Sequence, residues 1–205
     1  MKNSIYMYSK YHTEGLVLGS INIGEANKYV MLFTKEMGLL YASAQGLREV
    51  QSKLRYSLQD LSRSKIELVS GRGGWRVVSA EELVGYAALF REHKNMDSFG
   101  AGVRICRLLK RLLKGEERNE FLYADVLQAM EILSAPLFAG KETVLHIEIV
   151  TVMRVLHHLG YWGEHAVLSP FLQGSIEESV KAPEVKKIKS LALQEINKSL
   201  QATQL

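Results

Sequence analysis

The 205-residue sequence is 47% hydrophobic and 23% charged with a net charge of +4, a composition that predicts a folded protein and argues against global disorder. Its single cysteine, Cys106, excludes an internal disulfide and a multi-cysteine metal site. The sequence contains no run of eighteen apolar residues, and its first residues lack the apolar core of a secretory signal. We therefore expect no membrane partner and a cytoplasmic location.

Positive charge is concentrated in the first part of the chain. Residues 1–80 contain 11 Lys/Arg and 6 Asp/Glu, whereas residues 81–205 contain 15 and 16. Such an asymmetry is typical of a module that binds a polyanion, although basic surfaces also serve solubility.

The first 80 residues read as five short strands. Residues 1–13 are interpreted as an extension or an edge strand. Alternating or apolar β-type runs follow at residues 14–23, 29–34, 39–45, 65–69 and 75–79. A basic linker, residues 46–62, precedes the fourth run, and the glycine-rich segment 71–74 predicts a hairpin turn rather than a phosphate-binding loop. Five strands with one longer linker outline an OB-type barrel.

The periodicity becomes helical after Ala80. Residues 81–90 suggest a passage into helix, and longer helices are predicted over residues 97–114, 120–133, 141–159 and 184–200, with an irregular segment at 161–182. The predicted fold is therefore α+β: a five-stranded OB-fold domain at residues 1–80 followed by an all-helical domain at residues 81–205.

The strand region carries the residue types that single-stranded nucleic acid requires, namely cations for phosphates and aromatic rings for bases. The candidate nucleic-acid-binding residues are Arg48, Lys53, Arg55, Arg72, Arg76, Tyr41 and Tyr56. Trp75 is a further possible stacking residue. The alternative is that the arginines are solvated turn residues and that Trp75 belongs to the core.

Several motifs, taken in order, resemble the bacterial recombination mediator family RecO. These are EGLVL at 14–18, GEANKYVMLFTKEMG at 24–38, QGLR at 45–48, SKLR at 52–55, LQ at 58–59, GRGGW at 71–75, AE at 80–81, HLGY at 158–161 and NKSL at 197–200. The resemblance implies an OB-fold that binds single-stranded and double-stranded DNA, anneals complementary strands and assists recombinase loading onto strands coated with single-strand-binding protein. It implies RecR as a partner, and no enzymatic activity or cofactor.

Two departures from that family's pattern bear on function. Many members carry a four-cysteine zinc site after the segment that resembles HLGY, and this sequence lacks those cysteines, so we expect no metal. The usual Lys-Gly-Ala-Arg pattern is QGLR here, which removes one cation. We therefore expect DNA affinity to be lower than in other members.

Basic residues also line one flank of the helix predicted at 97–114. Their position late in a helix suits its dipole, which is the simpler explanation. The resemblance implies a second one: a docking surface for the acidic C-terminal tail of single-strand-binding protein. The candidate partner-binding residues are Arg104, Arg107, Lys110, Arg111 and Arg154.

Two other functions stay open at this point. One is a generic single-stranded nucleic-acid-binding OB protein, including one that binds RNA. The other is an adaptor whose barrel binds protein loops. Neither requires a nucleophile, a metal ion or nucleotide hydrolysis.

Overall fold

A computed structural model describes residues 9–138 and 140–203, so the first eight residues of the predicted extension lie outside the described residues. Five strands form a closed barrel in the order β1-β2-β3-β5-β4. Their bounds are β1 Lys10–Ile23, β2 Asn27–Thr34, β3 Gly38–Ala44, β4 Ser62–Gly71 and β5 Gly74–Gly85. Only β3 and β5 pair in parallel; the other neighbouring strands are antiparallel. The predicted α+β class and five-stranded OB-type barrel are confirmed.

The interior of the barrel is filled by alternate residues of its strands. Val17, Leu32, Leu40, Leu68 and Val77 are each at most 5% exposed and belong to one apolar cluster. Because successive strand residues point to opposite faces, this filling leaves the intervening residues on the outer surface. Burying each of these side chains stabilises the barrel by about 1.5–3 kcal/mol.

Several strands are longer than the sequence pattern predicted, and β1 and β5 change the predicted boundaries of the barrel. β1 begins at Lys10 rather than at residue 14, and β5 continues to Gly85, so the predicted passage into helix from residue 81 is wrong for residues 81–85. Glu81 lies opposite Lys65 in the antiparallel ladder between β5 and β4. The ladder between β4 and β5 has register shifts at Arg63/Ser64 and at Glu67/Leu68. These shifts interrupt the alternation of buried and exposed residues in β5, so the sequence pattern does not show where this strand ends.

Helices make up most of the remaining chain. A short helix in the linker, α1, spans Leu54–Ser57; it is followed by α2 Tyr86–Glu92, α3 Met96–Leu112, α4 Glu120–Ser134, α5 Lys141–His158, α6 Ile176–Lys181 and α7 Val185–Ala202. The four long predicted helices are confirmed. Helix α3 is capped by the Asn95 side chain, which accepts a hydrogen bond from Ser98 N. Within residues 9–138 and 140–203, no helix is long and apolar enough to cross a bilayer.

The described chain contains two compact units. The barrel unit comprises residues 9–85 together with 115–118, and the helical unit comprises residues 86–114 and 119–203. Residues 115–118 are held to the barrel by Leu39 N, which donates to the Gly115 carbonyl at 3.1 Å. The division into independent domains at residues 1–80 and 81–205 stays a prediction.

Gly38, at the start of β3, allows residues 115–118 to approach the barrel closely. Its φ is +67°, in the left-handed region, and a Cβ atom there would lie 2.3 Å from the carbonyl oxygen of Glu117. A side chain at this position would therefore require the backbone of the segment to move.

We predict that Gly38→Ala destabilises the protein more than Gly24→Ala. Gly24 has a similar φ of +58°, but a Cβ atom there meets nothing within 4 Å. Gly24→Ala should therefore cost only the backbone strain, about 1–2 kcal/mol, while Gly38→Ala adds a steric conflict with main-chain atoms. Urea unfolding of both variants measures the difference, and equal losses would contradict the close approach.

Candidate nucleic-acid interface

An open groove of about 890 Å³ lies where the end of β1 and the start of β2 meet the linker between β3 and β4. Three cations and one carboxylate line it, so its charge favours an anionic ligand. The lining residues are Ser20, Ile21, Asn22, Lys28, Leu47, Arg48, Arg55, Leu58, Gln59 and Asp60. The residues Lys28, Arg48 and Arg55 are called the groove cations below.

The turn that carries Arg48 is tied to the turn between β1 and β2. Gly46 N donates to Asn27 Oδ1 at 2.9 Å, and Arg48 N donates to the Ala26 carbonyl at 3.0 Å. The Arg48 side chain itself donates from Nη1 to the Gly24 carbonyl at 2.9 Å. Because a guanidinium carries five N–H donors, this anchoring is compatible with a phosphate contact.

Helix α1 positions Arg55 in the groove. Leu54 packs on the barrel core and Leu58 is 3% exposed, so the apolar face of this short helix is anchored. Lys53 and Tyr56, the latter 65% exposed, lie on the surface outside the set of groove-lining residues. The structure thus brings Arg48 and Arg55 together and leaves Lys53 and Tyr56 apart from them.

Tyr41 and Arg76 share the outer face of the sheet. Arg76 on β5 pairs with Ser43 on β3, and Tyr41 is two residues before Ser43, so its side chain points to the same face. Tyr41 is 51% exposed. Arg72 is exposed in the turn between β4 and β5 and is not among the groove-lining residues.

Trp75 is a packing residue, as the core alternative predicted. Its ring is half-buried against the barrel core, meets the Tyr11 ring edge-on at a centroid distance of 5.0 Å, and donates from Nε1 to Glu116 Oε1 at 2.7 Å. These contacts occupy the indole, so the interpretation of Trp75 as a base-stacking residue is not supported.

Lys28 lines the groove, although no sequence motif selected it as a candidate. It is the second residue of β2, and its ammonium donates to Ser20 Oγ, which also lines the groove, at 3.1 Å. The sequence signal for it is its position close to the turn at residues 24–26, where a side chain lies near the end of the barrel.

The basic flank of α3 is only partly available for a partner. Arg104 binds Glu148 through two hydrogen bonds, Nε to Oε1 at 2.5 Å and Nη2 to Oε2 at 2.7 Å. This bidentate contact raises the pKa of the Arg104 guanidinium above its ordinary value. Arg107 and Arg111 are exposed and Lys110 is half-buried.

Arg154 does not belong to that flank, which corrects the prediction that it contacts a partner. Its side chain is 1% exposed, and the guanidinium donates to the carbonyls of Phe171, Gln173 and Gly174 at 2.7–2.9 Å. It also binds Asp125 Oδ1 at 2.9 Å. Arg154 therefore organises the irregular segment after α5 and is inaccessible to a docking peptide.

Asp125 joins His158 to the same network. Its second oxygen, Oδ2, lies 2.8 Å from His158 Nε2. The carboxylate thus links two side chains of α5 to α4. Among residues 9–138 and 140–203, no three His, Cys, Asp or Glu side chains are grouped so that they could hold a metal ion.

Comparisons with known proteins agree with the sequence motifs. Residues 7–86 match the family model described as "Recombination protein O N terminal". A DNA repair protein RecO from Heliobacterium modesticaldum is 31% identical over 154 residues, which are 75% of this chain and 53% of that protein. Proteins of the same name from an Exiguobacterium species and from Myxococcus xanthus are each 25% identical, over 79% and 68% of this chain. The chain spans 53–59% of the length of these three relatives.

We predict that Arg154→Met lowers the free energy of unfolding by about 3–5 kcal/mol, because it leaves several buried acceptors and a carboxylate without their donor. Arg107→Met, at an exposed position on α3, is the matched control and should change stability by about 0.5 kcal/mol or less. Urea unfolding followed by circular dichroism provides the comparison. Similar stabilities for the two variants would show that the buried network does not organise the segment.

Proposed function

Because this chain is a RecO-like protein, we propose that it is a DNA-binding recombination mediator that acts by binding rather than by catalysis. In this proposal it binds single-stranded and double-stranded DNA, anneals complementary strands and assists recombinase loading onto strands coated with single-strand-binding protein. The observation that carries the proposal is the groove on the OB-type barrel, where Lys28, Arg48 and Arg55 face one open space.

The groove cations account for binding and annealing by electrostatics. Each cation that contacts a phosphate releases condensed counterions, which favours binding and makes it depend on salt. Neutralising phosphates on two strands also lowers their mutual repulsion, so complementary strands meet more often. No catalytic group is needed for either effect.

Two protein partners belong to the proposal. RecR is inferred from the family alone. For the acidic tail of single-strand-binding protein, we infer contact with Arg107, Lys110 and Arg111, here called the α3 flank. An apolar depression of about 450 Å³ adjoins it in the helical unit, and its lining includes Arg104, Leu108 and Leu193. Arg104 already forms a salt bridge with Glu148. That salt bridge would have to break before Arg104 could contact the tail.

We predict that Arg48→Gln combined with Arg55→Gln weakens oligonucleotide binding and reduces its salt dependence. Each lost contact to a single strand should lower the slope of log K against log salt concentration by about 0.7. Fluorescence anisotropy with a labelled oligothymidine across a salt series measures both changes. Lys181→Gln combined with Lys198→Gln removes the same charge from exposed positions in the helical unit and should leave the slope unchanged.

A wild-type protein that fails to bind the oligonucleotide at low salt would refute the proposed DNA-binding function. An annealing assay on complementary strands coated with single-strand-binding protein then separates the alternatives. A mediator accelerates annealing of the coated strands, whereas a generic nucleic-acid-binding protein binds naked strands without this effect. A protein adaptor does neither.

We predict that reversing the charge of the α3 flank, with Arg107→Glu, Lys110→Glu and Arg111→Glu together, weakens binding of a labelled tail peptide at least about tenfold, since three attractions become repulsions. The Arg48→Gln and Arg55→Gln variant should bind that peptide normally. Normal peptide binding by the charge-reversed protein would eliminate the α3 flank as the docking surface.

A further inference from the structure

The outer face of the first three strands carries four adjacent apolar and aromatic side chains, three of which are exposed. Ile21 on β1 lies opposite Tyr29 on β2, and Met31 on β2 lies opposite Tyr41 on β3. Directly opposed strand residues point to the same face with Cβ atoms about 4.5–5.5 Å apart. These four residues are called the tyrosine patch.

The rings of the tyrosine patch are accessible. Tyr29 is 40% exposed, Tyr41 is 51% exposed and Ile21 is 60% exposed. Among the described residues, neither tyrosine ring pairs with another aromatic ring. Tyr11, also 40% exposed, differs because its ring is packed against Trp75. The rings of Tyr29 and Tyr41 are thus both exposed to solvent and free of contacts with other aromatic rings of the described chain.

Cations adjoin the tyrosine patch on two sides. Ile21 is itself a lining residue of the groove that contains the groove cations, so the groove and the patch are continuous. On the other side, Ser43 is paired both with Tyr29 of β2 and with Arg76 of β5. A surface of aromatic rings between positive charges matches the chemistry of a single strand, in which unpaired bases alternate with phosphates.

We infer that Tyr29 and Tyr41 stack on unpaired bases of a single strand whose phosphates are held by the groove cations and by Arg76. The inference rests on the proposed DNA binding and extends it by assigning Tyr29, a residue that the sequence analysis did not select, to base recognition. Every base offers a π-face, so this contact tolerates any sequence. Bases in a duplex are stacked on one another and offer no free face, so the patch favours single strands over duplexes.

The experiment compares Tyr29→Leu with Tyr29→Phe on a labelled oligothymidine and on a duplex of the same length, at one salt concentration. Tyr29→Leu should weaken single-strand binding about 5- to 150-fold, the range of one lost base–aromatic stack, and leave duplex binding unchanged. Tyr29→Phe keeps the ring and should bind both like the wild type. The salt slope of Tyr29→Leu should equal that of the wild type because no charge is removed.

Two further variants test the location of the effect. Tyr41→Leu should reproduce the selective loss on single strands. Phe121→Leu removes a 76% exposed ring that stacks on His158 in the helical unit, and it should bind both ligands normally. A measurement on the unmodified protein, photo-crosslinking to an oligonucleotide that contains 5-iodouracil, should attach Tyr29 or Tyr41.

The possible failures are distinguishable. If the wild type binds single strands but Tyr29→Leu binds them equally well, or loses single-strand and duplex binding alike, the inference is overturned and the proposed function stands. Crosslinks confined to residues outside the patch would overturn it as well. If the wild type binds no oligonucleotide at low salt, the proposed function fails and the inference fails with it.

Discussion

The closure of the barrel depends on a short parallel contact between β3 and β5, formed by the pairs Ala42–Trp75 and Ser43–Arg76. Ser43 Oγ adds a hydrogen bond to the Trp75 carbonyl at 3.3 Å. Without this contact both strands would present open edges, which attract non-specific pairing. The second pair also places Arg76 of β5 next to the outer face that carries Tyr41. The register between β3 and β5 thus determines that the indole of Trp75 is packed and that the side chain of Arg76 is exposed.

Polar interactions organise the helical unit where the sequence has no regular pattern. The Arg154 guanidinium donates hydrogen bonds to three backbone carbonyls of residues 171–174, and the Asp125 carboxylate balances its charge. A buried ion pair is expensive to break because either charge left alone is poorly solvated. The same burial removes Arg154 from any docking surface. On α3, by contrast, Arg107 and Arg111 are exposed, and they belong to the proposed contact with the acidic tail.

The sequence predicts the elements better than it predicts the site. Strand alternation, the glycine turns and the basic linker are sufficient for a five-stranded barrel, since they are local properties. Register is not local: the bulges in the ladder between β4 and β5 hid the end of β5. Arg154 resembles its basic neighbours in sequence, and only the fold of a distant loop buries it. Tyr29 reads as one member of an apolar strand, and its exposure follows from barrel closure.

We propose that one continuous surface of the barrel unit, from the groove to the tyrosine patch, holds a single nucleic-acid strand. Hydrogen–deuterium exchange of the protein with and without oligothymidine tests this most directly, because it maps protection along the whole chain. We predict that protection on binding is concentrated in residues 19–31, 41–48, 53–60 and 75–77. Protection confined to the helical unit, or none at saturating oligonucleotide, would contradict the account.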